Sequence, residues 1–348
     1  MGNIFIIIFS VIILSGLLVD LLFVGKNKHT ISLKESLLLT SIWISLAFIF
    51  YCLIYFFGQK VHNITSPEDL QKYLSIYYPH LKLSSLPFSE ALHIYRKTIA
   101  TDFITGYFLE YSLSIDNVFV ILMILLGFSV KPVYYKTVLF WGIFGALLLR
   151  FIFIFIGAAL ILRFDWILLI FGAFLLYSGI KMFLQRNKEE KIEAKEHWLV
   201  KLLSANFRVH SEFIDHHFWK KINGKFFITP LFIVLILIEF TDLIFAFDSI
   251  PAIFSITRDP YLVFFSNIFA IIGLRSLFFL LIKGVDYFHY LKIGISVLLA
   301  FVGLKLLFHS YLINIGFSNI YSLYFILITL TVSILASIIF PELKKKES

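Results

Sequence analysis

Residues 228–256 read ITPLFIVLILIEFTDLIFAFDSIPAIFSI. Such a run is long enough to cross a bilayer, which takes about 20 apolar residues at 1.5 Å each, yet it contains Glu239, Asp242 and Asp248. A charged side chain at membrane depth costs about 2.5–3.5 kcal/mol on insertion scales, so acids there are rare and mark ion or proton pathways. The stretch reads both as a transmembrane helix and as one wall of a polar site.

Comparable apolar runs recur on either side of it. The 348-residue chain is 60% hydrophobic, against roughly 45–50% in soluble domains. Spans are predicted over 3–25, 36–58, 102–128, 133–161, 164–184, 228–256, 260–283, 288–309 and 320–340, which makes an all-α transmembrane protein of about nine helices. The first run lacks a basic leader and a small-residue cleavage pattern before Lys26 and is too long for a signal peptide. It is taken as a retained span.

Lys and Arg in the short connections set the expected orientation. Lys26, Lys28, Lys34, Lys131, Lys136, the stretch from Arg186 to Lys225, Lys283, Lys292 and the tail Lys344, Lys345, Lys346 fall on one side. The other side holds Arg163, Arg258, an uncharged turn near Asn314 to Asn319, and a longer loop that mixes its bases with Glu68, Asp69 and Glu90. This predicts an N-terminus outside and a C-terminus in the cytoplasm. The net charge of +8 then reads as anchoring against anionic lipid, with the bilayer as partner and no nucleic acid. The lone Cys52 lies in an apolar span, which rules out a disulfide framework or a Cys-based metal site within one chain.

The run at 228–256 has a relative upstream. Glu110 and Asp116, followed by Asn117 and Val118, match Asp242 and Asp248, followed by Ser249 and Ile250, with the same spacing between the acids. Arg150 then corresponds to Arg275, and Gly179-Ile-Lys181 to Gly303-Leu-Lys305. The repeated unit is three helices, spans three to five and six to eight. An odd number of helices forces the copies into opposite orientations, so the prediction is an inverted-repeat core with its site near the midplane. The expected division is 1–101 (two helices and an outer loop), 102–184 (first repeat), 185–227 (charged cytoplasmic linker), 228–310 (second repeat) and 311–348 (last helix and basic tail).

Two connections differ from the rest. In the loop from 59 to 101, Ser66-Pro67-Glu68-Asp69 is an N-cap with Pro at the first helical position, followed by Leu70, Tyr73, Leu74 and Tyr77, which predicts a short interfacial helix without chemistry. The linker holds His197, His210, His216 and His217 with Glu212 and Asp215, and is read chiefly as a solvated face, with a regulatory metal site as the alternative.

The five membrane acids, Glu110, Asp116, Glu239, Asp242 and Asp248, are the candidate metal ligands, with Asn117 and Ser249. At 100° per residue Glu110, Ser114 and Asn117 share a stripe while Asp116 lies with Ser112; Asp242 and Ser249 share another while Asp248 points elsewhere near Thr241. One small pocket cannot take all five unless a helix bends. Pro251 supplies a cause, since it cannot donate to the carbonyl of Phe247. Carboxylate, amide, hydroxyl and carbonyl oxygens suit Mn²⁺, Mg²⁺ or Ca²⁺. Grouped carboxylates also favour holding protons when no metal is bound, which makes metal-for-proton exchange the natural mechanism. Arg150 and Arg275 are read as counter-charges of the empty site.

These residues resemble the TerC family of integral membrane proteins, the tellurium-resistance family that includes Alx-type manganese exporters. The resemblance rests on Gly106-Tyr-Phe-Leu-Glu110 through Asp116-Asn117, on Trp141-Gly-Ile-Phe-Gly-Ala, on Gly172 to Lys181, on Glu239 to Pro251, on Thr257-Arg-Asp-Pro260 and on Ser266-Asn267 to Arg275. It implies a bacterial plasma-membrane protein that exports Mn²⁺, with Glu110, Asp116, Glu239, Asp242 and Asp248 at the family's functional positions. It implies neither an enzyme nor an organic cofactor. Two other readings stand beside export: an indirect role in tellurite or oxyanion resistance, and help in loading metal onto exported proteins. Direct oxyanion efflux fits less well, because an anion would meet a field of carboxylates. An aspartyl protease using Asp116 and Asp248 lacks the Gly-x-Gly-Asp signature.

Overall fold

The computed structural model describes residues 7, 9–11, 13, 15, 33–164, 166–185, 198–222, 224–282 and 290–340, without the side chains of residues 33, 115, 116, 119, 275, 281, 310 and 313. Most of the first predicted span, Asp20, residues 186–197 with His197, Lys283, the basic tail and the side chains of Asp116 and Arg275 therefore lie outside the described residues.

The chain is an all-α membrane protein. Its helices are α1 (Leu33–Phe57), α2 (Pro67–Tyr77), α3 (Phe88–Gly127), α4 (Pro132–Arg163), α5 (Ile167–Leu184), α6 (Trp198–Asn206), α7 (Pro230–Phe254), α8 (Pro260–Leu281), α9 (Leu291–Leu307), α10 (His309–Asn314) and α11 (Asn319–Ile339). Six of the described helices, α1, α4, α5, α7, α8 and α11, are long and apolar enough to cross a membrane by length and composition. The acid-bearing helix α3 lies between them in space, packed on α1, α7, α8 and α11. Large apolar side chains such as Leu38, Phe48, Leu148, Ile156, Ile170 and Ile338 stay exposed on the outside, as suits a surface solvated by lipid.

Three elements depart from the expectation. Helix α3 begins at Phe88 rather than near 102, so about 20 Å of it precedes the predicted span at 1.5 Å per residue. Between 198 and 228 the linker is largely exposed, but it folds into α6 and a short antiparallel hairpin, β1 (Trp219–Ile222) and β2 (Lys225–Ile228), which its sequence does not announce. Helix α7 runs through Pro251 and stops three residues later at Phe254; the proline sits in the last turn, and its missing N–H costs the helix one bond, to the upstream carbonyl of Phe247.

Helix α2 forms as its sequence predicts. Ser66 accepts from Asp69 N–H while the Asp69 carboxylate accepts from Ser66 N–H, a closed capping box with Pro67 at the first helical position. It does not lie idle at an interface. Leu70, Tyr73 and Leu74 are buried against the bundle, so α2 caps one end of it. We call this the capped end.

The main contacts between the two predicted triplets, α3–α5 and α7–α9, come in exchangeable pairs. Each helix packs on its counterpart, α3 on α7, α4 on α8 and α5 on α9, and the cross-pair α3 with α8 is matched by α4 with α7. The crossing of α5 and α9 repeats this at atomic scale. A Cβ on Gly179 would stand 2.7 Å from Ala300 N and 2.8 Å from Ser296 O, and one on Gly303 would stand 2.5 Å from Leu176 N and 2.8 Å from Gly172 O. Adding 124 to Gly172, Leu176 and Gly179 gives Ser296, Ala300 and Gly303, so each glycine meets the sequence counterpart of what the other meets. Close backbone approach through small residues is how helices associate in lipid, where hydrophobic burial gives little drive.

Candidate functional site: carboxylates around Arg150

The site is assembled by one side chain. Arg150, in mid-α4 and 1% exposed, reaches across the bundle to four residues on three other helices. Its Nη1 donates to Glu110 Oε1 of α3 in a very short contact, to Asn267 Oδ1 of α8 at 2.7 Å and to Ser249 Oγ of α7 at 3.4 Å. Its Nη2 donates to Asp242 Oδ1 of α7 at 3.1 Å, and Nε lies 3.5 Å from the other oxygen. A planar guanidinium with five donors is the side chain best suited to bridge two carboxylates in this way.

The helical stripes explain who takes part. Glu110, Ser114 and Asn117 are all buried on the inner side of α3, and Asp242 and Ser249 share the inner stripe of α7. Glu239, turned away on α7, lies against Gly145 of α4, where any Cβ would collide with its carboxylate. Asp248 faces α5, within hydrogen-bonding reach of Ser178 and in the field of Lys181. Thr241 spends its hydroxyl on the carbonyl of Ile238 at 2.8 Å. The structure thus brings Glu110, Asp242, Ser249 and Arg150 together and holds Glu239 and Asp248 apart from them.

Chain direction orders the acids along the bundle. Helix α3 runs away from the capped end and α7 runs towards it, because Asp102 of α3 and Thr257 just beyond α7 are joined there through Tyr78. Taking the Glu110 and Asp242 level as reference, Asp248 lies six residues towards the capped end, about 9 Å. Glu239 lies three residues the other way, about 4.5 Å, and the backbone of Asp116 six residues the same way, about 9 Å. The acids are stations on a line, not a single cage. Among the described residues no three His, Cys, Asp or Glu side chains converge as they would around a metal ion.

Several oxygens on this line are buried and unpartnered: Glu110 Oε2, Ser114 Oγ, Glu239 Oε2 and Asp248 Oδ1. Buried polar atoms in native proteins are nearly always paired with protein, water or an ion, so each of these oxygens is a free acceptor facing the interior.

Sequence reasoning missed two sets of residues. Asn267 was visible only as part of a motif, and the structure makes it a direct partner of Arg150. At the capped end a second buried polar group escaped notice. His62 contacts Tyr95 at 2.8 Å and Asp259 at 2.9 Å, Tyr73 donates to Asp259 at 2.6 Å, Tyr78 joins Asp102 at 2.7 Å to Thr257 at 2.9 Å, and Asn319 links Asp102 at 2.8 Å to Lys305 at 2.9 Å. Burial tends to raise the Asp259 carboxyl, but His62, the Tyr73 hydroxyl and the Tyr261 N–H outweigh it and hold it below the usual range. Asp102 stands at the edge of the predicted third span and Asp259 in a three-residue connection, where acids read as ordinary loop residues.

A polytopic bundle with carboxylates and an arginine buried between its helices defines a class, the integral membrane proteins with an intramembrane charged site. The model of the integral membrane protein TerC family matches residues 95–345, and the chain belongs to that family. It is similar to the membrane protein STKORF319 of Myxococcus xanthus, 41% identical over 86% of this chain and 81% of that one. It is also similar to Alx of Escherichia coli K12, whose name carries "membrane-bound redox modulator", 38% identical over 86% and 84% of the two chains, and to a Rickettsia felis membrane protein, 36% identical over 88% and 89%. No solved structure matches the chain.

Proposed function

We propose that the protein exports divalent cations across a bacterial plasma membrane, with Mn²⁺ as cargo ahead of Mg²⁺ and Ca²⁺ and protons as counter-ions. The observation that carries this is the surplus of buried acceptors: Glu110, Asp242, Glu239 and Asp248 are each buried or half-buried between helices, and three of them retain an unpartnered oxygen. An all-oxygen donor set of carboxylates, hydroxyls and amides favours hard divalent cations over zinc or copper. The stations at Asp116, Glu239, the Glu110 and Asp242 level, and Asp248 then form successive resting points for a cation crossing the bundle. The matched contacts of the two triplets and the opposite directions of α3 and α7 support an inverted-repeat core, in which alternating access is a rocking of one triplet on the other about that level. On the basic-residue count, the capped end faces outwards. Proton exchange follows because the carboxylates that Arg150 does not hold, Glu239 and Asp248, are better kept neutral in a low dielectric once a cation has left them.

The test is intracellular metal content in an exporter-deficient bacterial host challenged with manganese. The wild-type chain lowers it, and Asp242→Asn and Asp248→Asn do not; variants that still lower it would remove the acids from the pathway. An effect of this chain on cellular redox state, the property in the relatives' name, would on this reading follow from the manganese pool and vanish in the same variants.

A further inference from the structure

The place a cation would take between Glu110 and Asp242 is held by Arg150. We infer that Arg150 is a tethered competing cation, which occupies the central station between transport events and thereby sets its preference for divalent over monovalent ions. This deepens the export reading and rests on it.

The argument starts from charge. Two carboxylates from different triplets, Glu110 on α3 and Asp242 on α7, are bridged by one guanidinium from α4, leaving one negative charge uncompensated in a site with exposures of 0%, 8% and 1%. Every nitrogen of the arginine faces an acceptor: Nη1 faces Glu110, Asn267 and Ser249, and Nη2 and Nε face Asp242. The bridge is incomplete on the acid side, where Glu110 Oε2 and the nearby Ser114 Oγ are buried without partners. A monovalent ion that displaced the guanidinium would add one charge and strand another, for no electrostatic gain. A divalent ion neutralises both carboxylates at once and can use the orphaned oxygens that the flat, directional guanidinium does not reach.

Arginine suits this task better than lysine. It stays charged at any accessible pH, so the station is never vacated by deprotonation. It also carries a long stem, which lets the head group leave the acids while its helix stays in place. The same Nη1 serves Glu110, Asn267 and Ser249, so an arriving cation displaces the guanidinium from all of these contacts together. The stem keeps it close enough to return after the cation leaves, which clears the site and opposes back-flow.

The experiment is Mn²⁺ binding to the purified full chain in lipid nanodiscs, followed by the electron-spin signal of free Mn²⁺, for wild type, Arg150→Gln, Arg150→Lys, Glu110→Gln and Asp242→Asn. Arg150→Gln should bind Mn²⁺ at least about tenfold more tightly, the factor that about 1.4 kcal/mol produces, and excess Na⁺ should weaken its binding while leaving wild type unmoved. Arg150→Lys keeps the charge but not the fork, and should fall between the two. Where Arg150→Gln fails to reconstitute, Arg150→Lys decides: an affinity no higher than wild type overturns the proposal. So does an Arg150→Gln affinity equal to or below wild type, or one insensitive to Na⁺. The two acid variants separate this from the export reading: if Glu110→Gln and Asp242→Asn bind Mn²⁺ as wild type does, the site itself is misplaced and both fall; if they lose binding while the arginine variants match wild type, only the arginine's role falls.

Discussion

Two groups of buried carboxylates lie eight residues apart along α3, about 12 Å at 1.5 Å per residue, and they are finished in opposite ways. At the capped end both oxygens of Asp102 are bonded, to Asn319 and Tyr78, and both of Asp259, to Tyr261 N–H and to Tyr73 with His62. Along the line of acids through Arg150, by contrast, Glu110, Glu239 and Asp248 each keep an oxygen without a partner. The capped-end group ties α2, α3, the start of α8, α9 and α11 to one another, and it leaves no oxygen of its two carboxylates over. Burial of charge is common to both. What separates the two groups is whether the neighbours have used up the acceptors, which is why we assign transport to the central one.

This contrast can be broken from either side. The largest effect is expected at the central level: Glu110→Gln or Asp242→Asn should abolish manganese export by cells, while the melting temperature of the purified protein moves little, because Arg150 retains the other acid. Tyr78→Phe and Asp259→Asn should do the reverse. Each strips partners from a buried carboxylate or its bonding group and costs about 1–3 kcal/mol, read as a lower melting temperature with export per folded molecule largely kept. Gly179→Leu should also destabilise, by about 1–3 kcal/mol, because its side chain must enter a space already closed to 2.7 Å by the α9 backbone. Smaller still is a pH effect. The Asp259 carboxyl is lower in the folded chain than its usual value, so its contribution is fully present above the unfolded carboxyl pKa of about 3.9. That contribution disappears as pH falls through the lower folded value, and thermal melts of wild type against Asp259→Asn should converge in that acid range.

The sequence announced the central group because its acids interrupt apolar runs and recur at the same spacing, Glu110 with Asp116 and Asp242 with Asp248. Helix spans were legible for the same reason: a bilayer demands long apolar stretches, and each predicted span from 36 onwards coincides with a described helix. The separation of Asp248 from Asp242 also followed from helical phase. The capped end was not legible. Asp102, Asp259, His62 and Asn319 come from places up to 257 positions apart, 319 less 62, and nothing local marks them as neighbours. Nor does hydropathy mark the fourteen extra residues at the start of α3, from Phe88 to Thr101, which bury Ala91, Tyr95, Ile99 and Ala100 while Ser89, Glu90, His93 and Lys97 stay exposed. The hairpin after α6 is short and exposed, with no apolar alternation to reveal it.

The comparison is tested most directly by Mn²⁺ flux in proteoliposomes under an imposed pH gradient, with wild type, Asp242→Asn and Asp259→Asn reconstituted at equal folded amounts. Flux should be driven by the gradient in wild type, persist in Asp259→Asn and be absent in Asp242→Asn. Flux that survives in Asp242→Asn and fails in Asp259→Asn would place the pathway at the capped end and contradict the account.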